Sequence, residues 1–284
     1  MFKKLFAIML PAVACIGIAQ AQNVSLTDIK QLPLPEDAAH PVLSPDGGTL
    51  LFSTQNGTSL RSFDMDNGVT ATLDDSMAAG IDPVFSADSK TVIYRTAELK
   101  DKLMYRDVRE VNLPTGKVRV TEGMTRKQLS AKALPKEKYA VAGYDCLYLS
   151  DNGNVSELRP IKDAYSYIKA ALSPDGKHIL FTEAFKGLFV CDLDGSNPRN
   201  IAAKVTDFAW VDNNSILIIV SHDDGYFVLT SALMYCDINT GKFETLTSDE
   251  LMPDAVTVSP ADNQVVFSTI SGEIYKANLN INHE

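Results

Sequence analysis

The residues of this sequence best suited to chemistry stand together in the segment His222-Asp223-Asp224-Gly225-Tyr226. An imidazole beside two carboxylates could hold a cation or accept a proton near neutral pH. The same residue types also make an ordinary polar turn, in which Asp side chains accept backbone hydrogen bonds and Gly takes a positive φ. The first interpretation predicts a small site and the second a solvated loop; ordinary turn chemistry favours the second.

Two other segments resemble the start of a calcium loop, Asp64-Met65-Asp66-Asn67-Gly68 and Asp192-Leu193-Asp194-Gly195. Such a loop also needs a bidentate glutamate at its end, and no suitable glutamate follows either segment. The sequence contains no Gly-x-Ser-x-Gly nucleophile elbow. We therefore expect no catalytic residue, no metal and no cofactor.

Three cysteines, Cys146, Cys191 and Cys236, lie beyond the N-terminal segment, and an odd number cannot pair completely. Cys191 and Cys236 occupy the same place in the repeats described next. Other repeats fill that place with Phe63, Val111 and Ala277. We predict a buried apolar position with inert thiols, because free cysteine behaves as a small hydrophobe and no zinc-like spacing is present.

An internal repeat organises the chain. Leu43-Ser44-Pro45-Asp46-Gly47-Gly48, followed by an apolar run, returns as Leu172-Ser173-Pro174-Asp175-Gly176-Lys177 with a similar run. Six copies can be aligned on Pro45, Ala87, Pro135, Pro174, Val211 and Pro260. Their mean spacing of about 43 residues is the length of one four-stranded propeller blade.

A second signal, an Asp/Asn-Gly turn between two short strand-like runs, follows each of the first five copies and predicts a second hairpin per repeat. We therefore predict an all-β, six-bladed propeller with four antiparallel strands per blade. The last repeat ends before a fourth strand can form. We expect the segment Leu26 to Leu34 to supply it, which would remove two free sheet edges.

The repeat Ser-Pro-Asp-Gly-Lys-x-Ile-Leu-Phe, followed by an Asp-Leu-Asp-Gly turn, resembles the WD-like repeats of TolB-like six-bladed propellers. The resemblance covers essentially all of residues 22–284 and implies a rigid disc with a central channel, used for protein or small-molecule contacts. TolB itself carries an α/β domain before its propeller, for which this chain has no room, so its role is not transferred. Related propellers with peptidase activity carry an α/β-hydrolase domain that is also missing.

The first 21 residues have the layout of a secretory signal: Lys3 and Lys4, an apolar run from Leu5 to Ala19, and small residues before Gln22. We predict cleavage after Ala21 and a single propeller domain over residues 22–284, exported to the periplasm. In the alternative, Cys15 is lipidated and anchors the protein. No later segment is apolar enough to cross a membrane. A net charge of -10 disfavours nucleic acid as a partner.

Blades 2 and 5 have the longest repeats, with extended connections at Thr96 to Arg106 and His222 to Ser231, and they face each other across the predicted ring. Binding residues tend to lie on loops of a rigid scaffold. We predict a partner site between a basic loop and an acidic-aromatic loop, formed by Arg95, Lys100, Lys102, Arg106, His222, Asp223, Asp224 and Tyr226.

The sequence thus favours a non-enzymatic binding or scaffold protein of the cell envelope, whose partner is another envelope protein, a small molecule or a glycan. The alternative is a metal-assisted lyase or hydrolase that acts on glycans. Such a site needs several converging histidines or carboxylates, and His222 is its one candidate histidine.

Overall fold

The computed structural model describes residues 24–125, 138–248 and 250–282, and the secondary structure of these residues is entirely β. The strands form six antiparallel sheets arranged as the blades of a propeller, which confirms the predicted fold class. The signal segment, Cys15 and the repeat marker Pro135 lie outside the described residues.

The chain builds each blade from its innermost strand outward, and β1 (Val24–Gln31) precedes the first blade. Blade 1 contains β2 (Ala38–Leu43), β3 (Thr49–Thr54), β4 (Leu60–Asp64) and β5 (Thr70–Asp74). Blade 2 contains β6 (Val84–Phe85), β7 (Thr91–Lys100), β8 (Leu103–Asn112) and β9 (Lys117–Thr125). The described part of blade 3 contains its three outer strands, β10 (Tyr139–Ala142), β11 (Leu147–Asp151) and β12 (Asn154–Leu158).

Blade 4 contains β13 (Tyr167–Leu172), β14 (His178–Glu183), β15 (Gly187–Asp192) and β16 (Arg199–Ala202). Blade 5 contains β17 (Val205–Trp210), β18 (Ser215–Asp223), β19 (Val228–Asp237) and β20 (Lys242–Thr245). Blade 6 contains β21 (Pro253–Ser259), β22 (Gln264–Thr269) and β23 (Ile274–Ile281), with β1 as its outermost strand.

The ring closes through β1, as the sequence predicted. β1 pairs antiparallel with β23, with Val24 opposite Ile281 and Lys30 opposite Lys276. Val24 is buried in the core between blades 5 and 6, beside Leu279. The first described strand and the last thus share one sheet, which joins the two ends of the propeller by hydrogen bonds and core packing.

The Ser-Pro-Asp-Gly turns explain why the repeat keeps its serine and aspartate. The Ser44 hydroxyl donates to Asp46 Oδ1 at 2.6 Å and accepts the N–H of Thr49, which opens the next strand. Ser173 and Asp175 make the same bond at 2.7 Å in blade 4. Gly47 has a φ of 76°, the left-handed conformation that glycine adopts without strain. These residues therefore serve the hairpin and are structural.

The core lies between neighbouring blades. The second strands are buried on both faces, as in Ile216–Ile219 of β18, because each lies inside a blade that has a neighbour on either side. Cys191 and Cys236 are free and buried, which confirms the predicted apolar position, and Cys146 is free and buried as well. Burial raises the pKa of Cys191 to about 12 and that of Cys236 to about 11, so both thiols stay protonated.

Because successive strands of a blade run in opposite directions, the connections between them emerge alternately on the two faces of the disc. Connections from the second to the third strand of each blade, and from one blade to the next, emerge on one face, which we call the hairpin face. The Ser-Pro-Asp-Gly and Asp/Asn-Gly turns emerge on the other, which we call the turn face. Every connection predicted to bind a partner therefore belongs to the hairpin face.

One expectation about this face was wrong. The segments Thr96 to Arg106 and His222 to Ser231 are strand for most of their length instead of loop. β7 and β8 form a ten-residue pair joined by Asp101 and Lys102 alone, both at positive φ. Such two-residue turns match the right-handed twist of the strands they join. Blades 2 and 5 therefore carry long β-hairpins that extend beyond the body of the disc.

Candidate functional site

The tip of the blade 5 hairpin is a turn built by its own aspartates. Asp223 Oδ1 accepts the N–H of Gly225 at 2.9 Å, and Asp224 Oδ1 accepts those of Tyr226 and Phe227 at 2.9 and 2.8 Å. The hydrogen bonds from Phe227 and Tyr226 lower the pKa of Asp224, so the carboxylate is ionised. These contacts support the turn interpretation of the segment.

Four successive apolar residues follow that turn and are all exposed, Tyr226, Phe227, Val228 and Leu229. Tyr226 is 90 % exposed and Phe227 74 %. His222 is also exposed, opposite Thr230 in the β18–β19 pair. The hairpin thus presents an aromatic and aliphatic surface next to two carboxylates.

The blade 2 hairpin presents mainly charge. Lys100, Lys102 and Arg106 are exposed, while Arg95 faces Asp82 of the preceding connection at 3.7 Å. At the base of this hairpin, the buried Thr96 hydroxyl donates to the buried Asp107 carboxylate. Within the described residues, no hydrogen bond or ion pair joins this hairpin to that of blade 5, so a site shared by the two stays a prediction.

Sequence reasoning missed an aromatic cluster on the same face. Tyr165 lies between Tyr144 and Phe185, with ring centroids 6.3 and 5.0 Å away and edge-to-face geometry. All three rings are more than half exposed, Phe185 by 78 %. Tyr144 and Phe185 lie on the hairpin connections of blades 3 and 4, and Tyr165 on the segment that joins the two blades. Because they are distant along the chain, their meeting depends on the neighbouring position of the blades.

The exposed apolar side chains of the described residues are concentrated on the hairpin face. Those on this face are Met77, Ile81, Leu99, Leu103, Tyr144, Tyr165, Ile168, Phe185, Tyr226, Phe227, Val228, Leu229 and Ile270. The others lie on or beside the outermost strand of a blade: Ile29, Val69, Val118, Val120 and Phe243. Large exposed apolar surface usually marks a place where another molecule binds. The hairpin face is therefore the candidate functional surface.

Charge divides this face into two parts. Among the described residues, the sector of blades 5, 6 and 1, which we call the acidic sector, exposes the carboxylates Glu36, Asp37, Asp223, Asp224, Glu250 and Asp254. Basic side chains beside it include Arg61, which faces Asp37 at 3.5 Å, Lys204, and Lys30 near the end of β1. On blades 2 to 4 both signs of charge occur together, as in Lys100, Asp101 and Lys102 of the blade 2 hairpin.

The channel entrance is built from the innermost strands. Lys169 of blade 4 donates from Nζ to Asp207 Oδ1 of blade 5 at 2.5 Å, and Asp207 Oδ2 accepts the N–H of Val256 of blade 6 at 2.8 Å. One carboxylate thus links three successive blades. Asp254 lies close by, and its pKa is raised above the ordinary value, mainly because it is desolvated. The charge of His40 acts to lower this pKa, and the negative charge of Asp207 acts to raise it.

In residues 24–125, 138–248 and 250–282, no group of three or more His, Cys, Asp or Glu side chains is arranged to hold a metal ion. In the same residues, no helix long and apolar enough to cross a membrane is found.

Comparison of the fold with solved structures gives clear likenesses. A protein described as a TolB from Agrobacterium tumefaciens superposes with a TM-score of 0.59 over 89 % of this chain and 96 % of its own, at 16 % identity. The likeness supports a TolB-like propeller fold. An oligogalacturonate lyase from Vibrio parahaemolyticus has a TM-score of 0.54 over 84 % of this chain and 76 % of its own, at 13 % identity.

An oligogalacturonate lyase in complex with manganese gives a TM-score of 0.54 over 88 % of this chain and 79 % of its own, at 15 % identity. No protein-family model and no curated protein matches the sequence. At these identities the comparisons show the fold alone.

Proposed function

We propose that this protein is a non-enzymatic binding protein that docks a partner on its hairpin face. The observation that carries the proposal is the exposed run from Tyr226 to Leu229, on the face where most other exposed apolar side chains also lie. An exposed run of this kind promotes aggregation unless a partner covers it. The rigid ring supplies the scaffold, and the hairpins and connections supply the contacts.

The partner is another protein of the cell envelope, and the site of action is the periplasm. The signal-like segment before Gln22 supports export, either as a soluble form or as a form anchored through Cys15. The fold likeness to a protein described as a TolB is consistent with this location. The predicted site residues on the hairpins of blades 2 and 5 lie on the proposed docking face.

An affinity pull-down from crosslinked envelope extract tests the proposal. The bait is the tagged protein, compared with a variant in which Tyr226, Phe227 and Leu229 are serine. A matched control replaces three exposed valines of outer strands or their turns, Val69, Val118 and Val120, by serine. We expect one protein to be recovered with the wild type and the control and lost with the hairpin variant. Equal recovery with all three forms would contradict the proposal.

The second candidate function is a metal-assisted lyase or hydrolase that acts on glycans. It is supported by the fold likeness to two oligogalacturonate lyases, one of them a manganese complex. His222, beside Asp223, is the candidate ligand or base on this chain. The test is an assay of oligogalacturonate cleavage with added manganese. Turnover that His222→Ala abolishes would establish this function and overturn the binding proposal.

A further inference from the structure

We propose that the hairpin face also binds a second copy of this chain, about a two-fold axis that sets the blade 2 hairpin of each copy against the blade 5 hairpin of the other. This dimer goes beyond the proposed function and does not depend on it. It covers the exposed apolar residues of the hairpin face while no other protein is bound, so the second copy and the envelope partner compete for one surface.

The two long hairpins of one copy lie on opposite sides of the channel. Each is formed by the second and third strands of its blade, β7 and β8 in blade 2 and β18 and β19 in blade 5. The innermost strands of the two blades, β6 and β17, therefore lie between them, together with the channel. Because both hairpins extend beyond the body of the disc, a second copy placed face to face contacts both at once.

The blade 2 hairpin combines apolar side chains with an excess of basic ones. Leu99 is 60 % exposed and Leu103 37 %. The exposed charged residues between the two strands are three cations and two anions, Lys100, Lys102, Arg106, Glu98 and Asp101. This hairpin thus presents apolar surface beside net positive charge.

The blade 5 hairpin carries the opposite charge. Asp223 and Asp224 lie at its tip beside the exposed apolar run, and neither lysine nor arginine occurs from Ser221 to Ala232. Among the ion pairs of the described residues, none involves either aspartate, Lys100 or Lys102. The two hairpins are therefore complementary in charge, and each has apolar side chains to pack against the other.

Charge selects one of the two symmetric arrangements that bring long hairpins together. In a two-fold dimer every contact occurs twice, once from each copy. An axis through blades 2 and 5 sets each hairpin against its own copy, so that Asp223 and Asp224 face the same carboxylates. An axis that runs between blades 3 and 4 and between blades 6 and 1 pairs blade 2 with blade 5 in both halves of the dimer. Opposite charges meet only in the second arrangement, which is therefore favoured.

The axis of this arrangement passes over the aromatic cluster. Tyr144, Tyr165 and Phe185 lie at the junction of blades 3 and 4 and are more than half exposed, so the cluster meets its own copy there. Aromatic rings pack favourably edge to face, as these three already do. The buried carboxylate of Glu183 accepts the N–H groups of Tyr165 and Phe185, which fixes this surface before two copies meet and lowers the entropy lost on binding.

The other end of the axis lies over the junction of blades 6 and 1, where like charges meet. Glu36 belongs to the connection between these blades and is exposed, so it lies near its own copy. The neighbouring Asp37 is partly neutralised by Arg61 at 3.5 Å. Because the repulsion between the two copies of Glu36 opposes association, we expect Glu36→Gln to strengthen the dimer severalfold.

Sedimentation velocity of the purified protein at up to about 100 μM measures the association. We expect the wild type to dimerise. Lys100→Glu with Lys102→Glu makes the blade 2 hairpin acidic, so that like charges meet, and should weaken the dimer at least about tenfold. The control, Val118→Lys with Val120→Lys, alters exposed valines of the outermost strand β9 and should dimerise like the wild type.

A second variant makes the blade 5 hairpin basic. It combines His222→Lys and Thr230→Lys with Asp223→Asn and Asp224→Asn, since asparagine still accepts the turn hydrogen bonds. Alone it should also dimerise at least about tenfold more weakly than the wild type. An equimolar mixture of the two variants should regain the dimer, because opposite charges then meet in both halves. Recovery on mixing also shows that both variants are folded.

A cysteine on the axis tests the symmetry. Tyr165→Cys should give a disulfide-linked dimer with a mild thiol oxidant, because the two copies of this position meet. Phe243→Cys, on the outer strand β20, is equally a new thiol at an exposed position and should give none. The native thiols of Cys146, Cys191 and Cys236 are buried.

The outcomes separate this dimer from the proposed function. A wild type that stays monomeric throughout the concentration series would overturn the dimer, and an envelope protein recovered in the pull-down would still support the proposed function. A dimer that both charge variants leave intact, or that the mixture does not restore, would overturn the pairing of the hairpins. A pull-down that recovers only further copies of this chain would support the dimer and remove the envelope partner.

Discussion

Glu183 Oε1 accepts a hydrogen bond from the backbone N–H of Tyr165 at 2.7 Å, across the junction between blades 3 and 4. Its other oxygen accepts the N–H groups of Phe185 and Lys186 at 3.0 and 2.8 Å. Burial of Glu183 acts to raise its pKa, but these hydrogen bonds outweigh it and hold the pKa below the ordinary 4.5. A buried carboxylate thus fixes two exposed aromatic residues of the hairpin face.

Replacing this carboxylate should loosen the aromatic cluster and destabilise the fold. We expect Glu183→Gln to lower the free energy of unfolding at neutral pH by about 1 to 3 kcal/mol, because a buried acceptor of three N–H groups is weakened. The folded pKa lies below the unfolded one, so this contribution is complete above pH 4.5 and is lost as pH falls through the folded pKa.

Urea denaturation at several pH values measures this difference. The gap between wild type and Glu183→Gln should narrow below pH 4.5, and a gap independent of pH would contradict the assignment. Glu157→Gln serves as the control, because Glu157 is exposed and forms its ion pair with the exposed Arg159. Its effect should stay below about 1 kcal/mol.

Closure of the ring should depend on the buried end of β1. Val24 is buried between blades 5 and 6, so Val24→Asp would place a charge in that core and cost about 3 kcal/mol or more. Ile29→Asp, on the exposed part of the same strand, should change stability by less than about 0.5 kcal/mol. Thermal unfolding compares the two, and equal effects would mean that β1 does not close the ring in solution.

Substitutions of two aspartates at the channel entrance, Asp207 and Asp254, should have different effects on the free energy of unfolding. Asp207→Ala removes the partner of Lys169 and of the Val256 N–H, so we expect a loss of about 1 to 3 kcal/mol. Asp254 has a raised pKa, so its ionised form is disfavoured by folding, and Asp254→Asn should leave stability at neutral pH unchanged or higher. Denaturation midpoints of the two variants and the wild type at neutral pH measure these effects. A lower midpoint for Asp254→Asn than for the wild type would contradict this account.

The repeat made the fold predictable from sequence. The spacing of the Ser-Pro-Asp-Gly turns predicted six blades, and the incomplete last repeat predicted that the N-terminal segment closes the ring. Local chemistry was sufficient to indicate the turns, because Ser44 and Asp46 bond to each other and to the next backbone N–H groups. Neighbouring blades add contacts that the sequence does not show, such as the bond from the Asp46 N–H to the Ser89 hydroxyl.

The candidate site was only partly predictable. The length of the repeat indicates a long connection in blade 2 but not that it is a hairpin, because its turn, Asp101-Lys102, contains no glycine and its strands carry many charges. The cluster of Tyr144, Tyr165 and Phe185 left no local signal, since it depends on the contact between blades 3 and 4.

Site-specific photocrosslinking in living cells tests the central claim most directly. A photoreactive amino acid is placed at Tyr226 or at Phe185 on the hairpin face, and at Val118 on an outer strand as the control. We predict one discrete crosslinked protein adduct from the hairpin-face positions and none from Val118. Absence of any adduct at Tyr226 and Phe185, or an identical adduct at Val118, would contradict the claim that this face binds a partner.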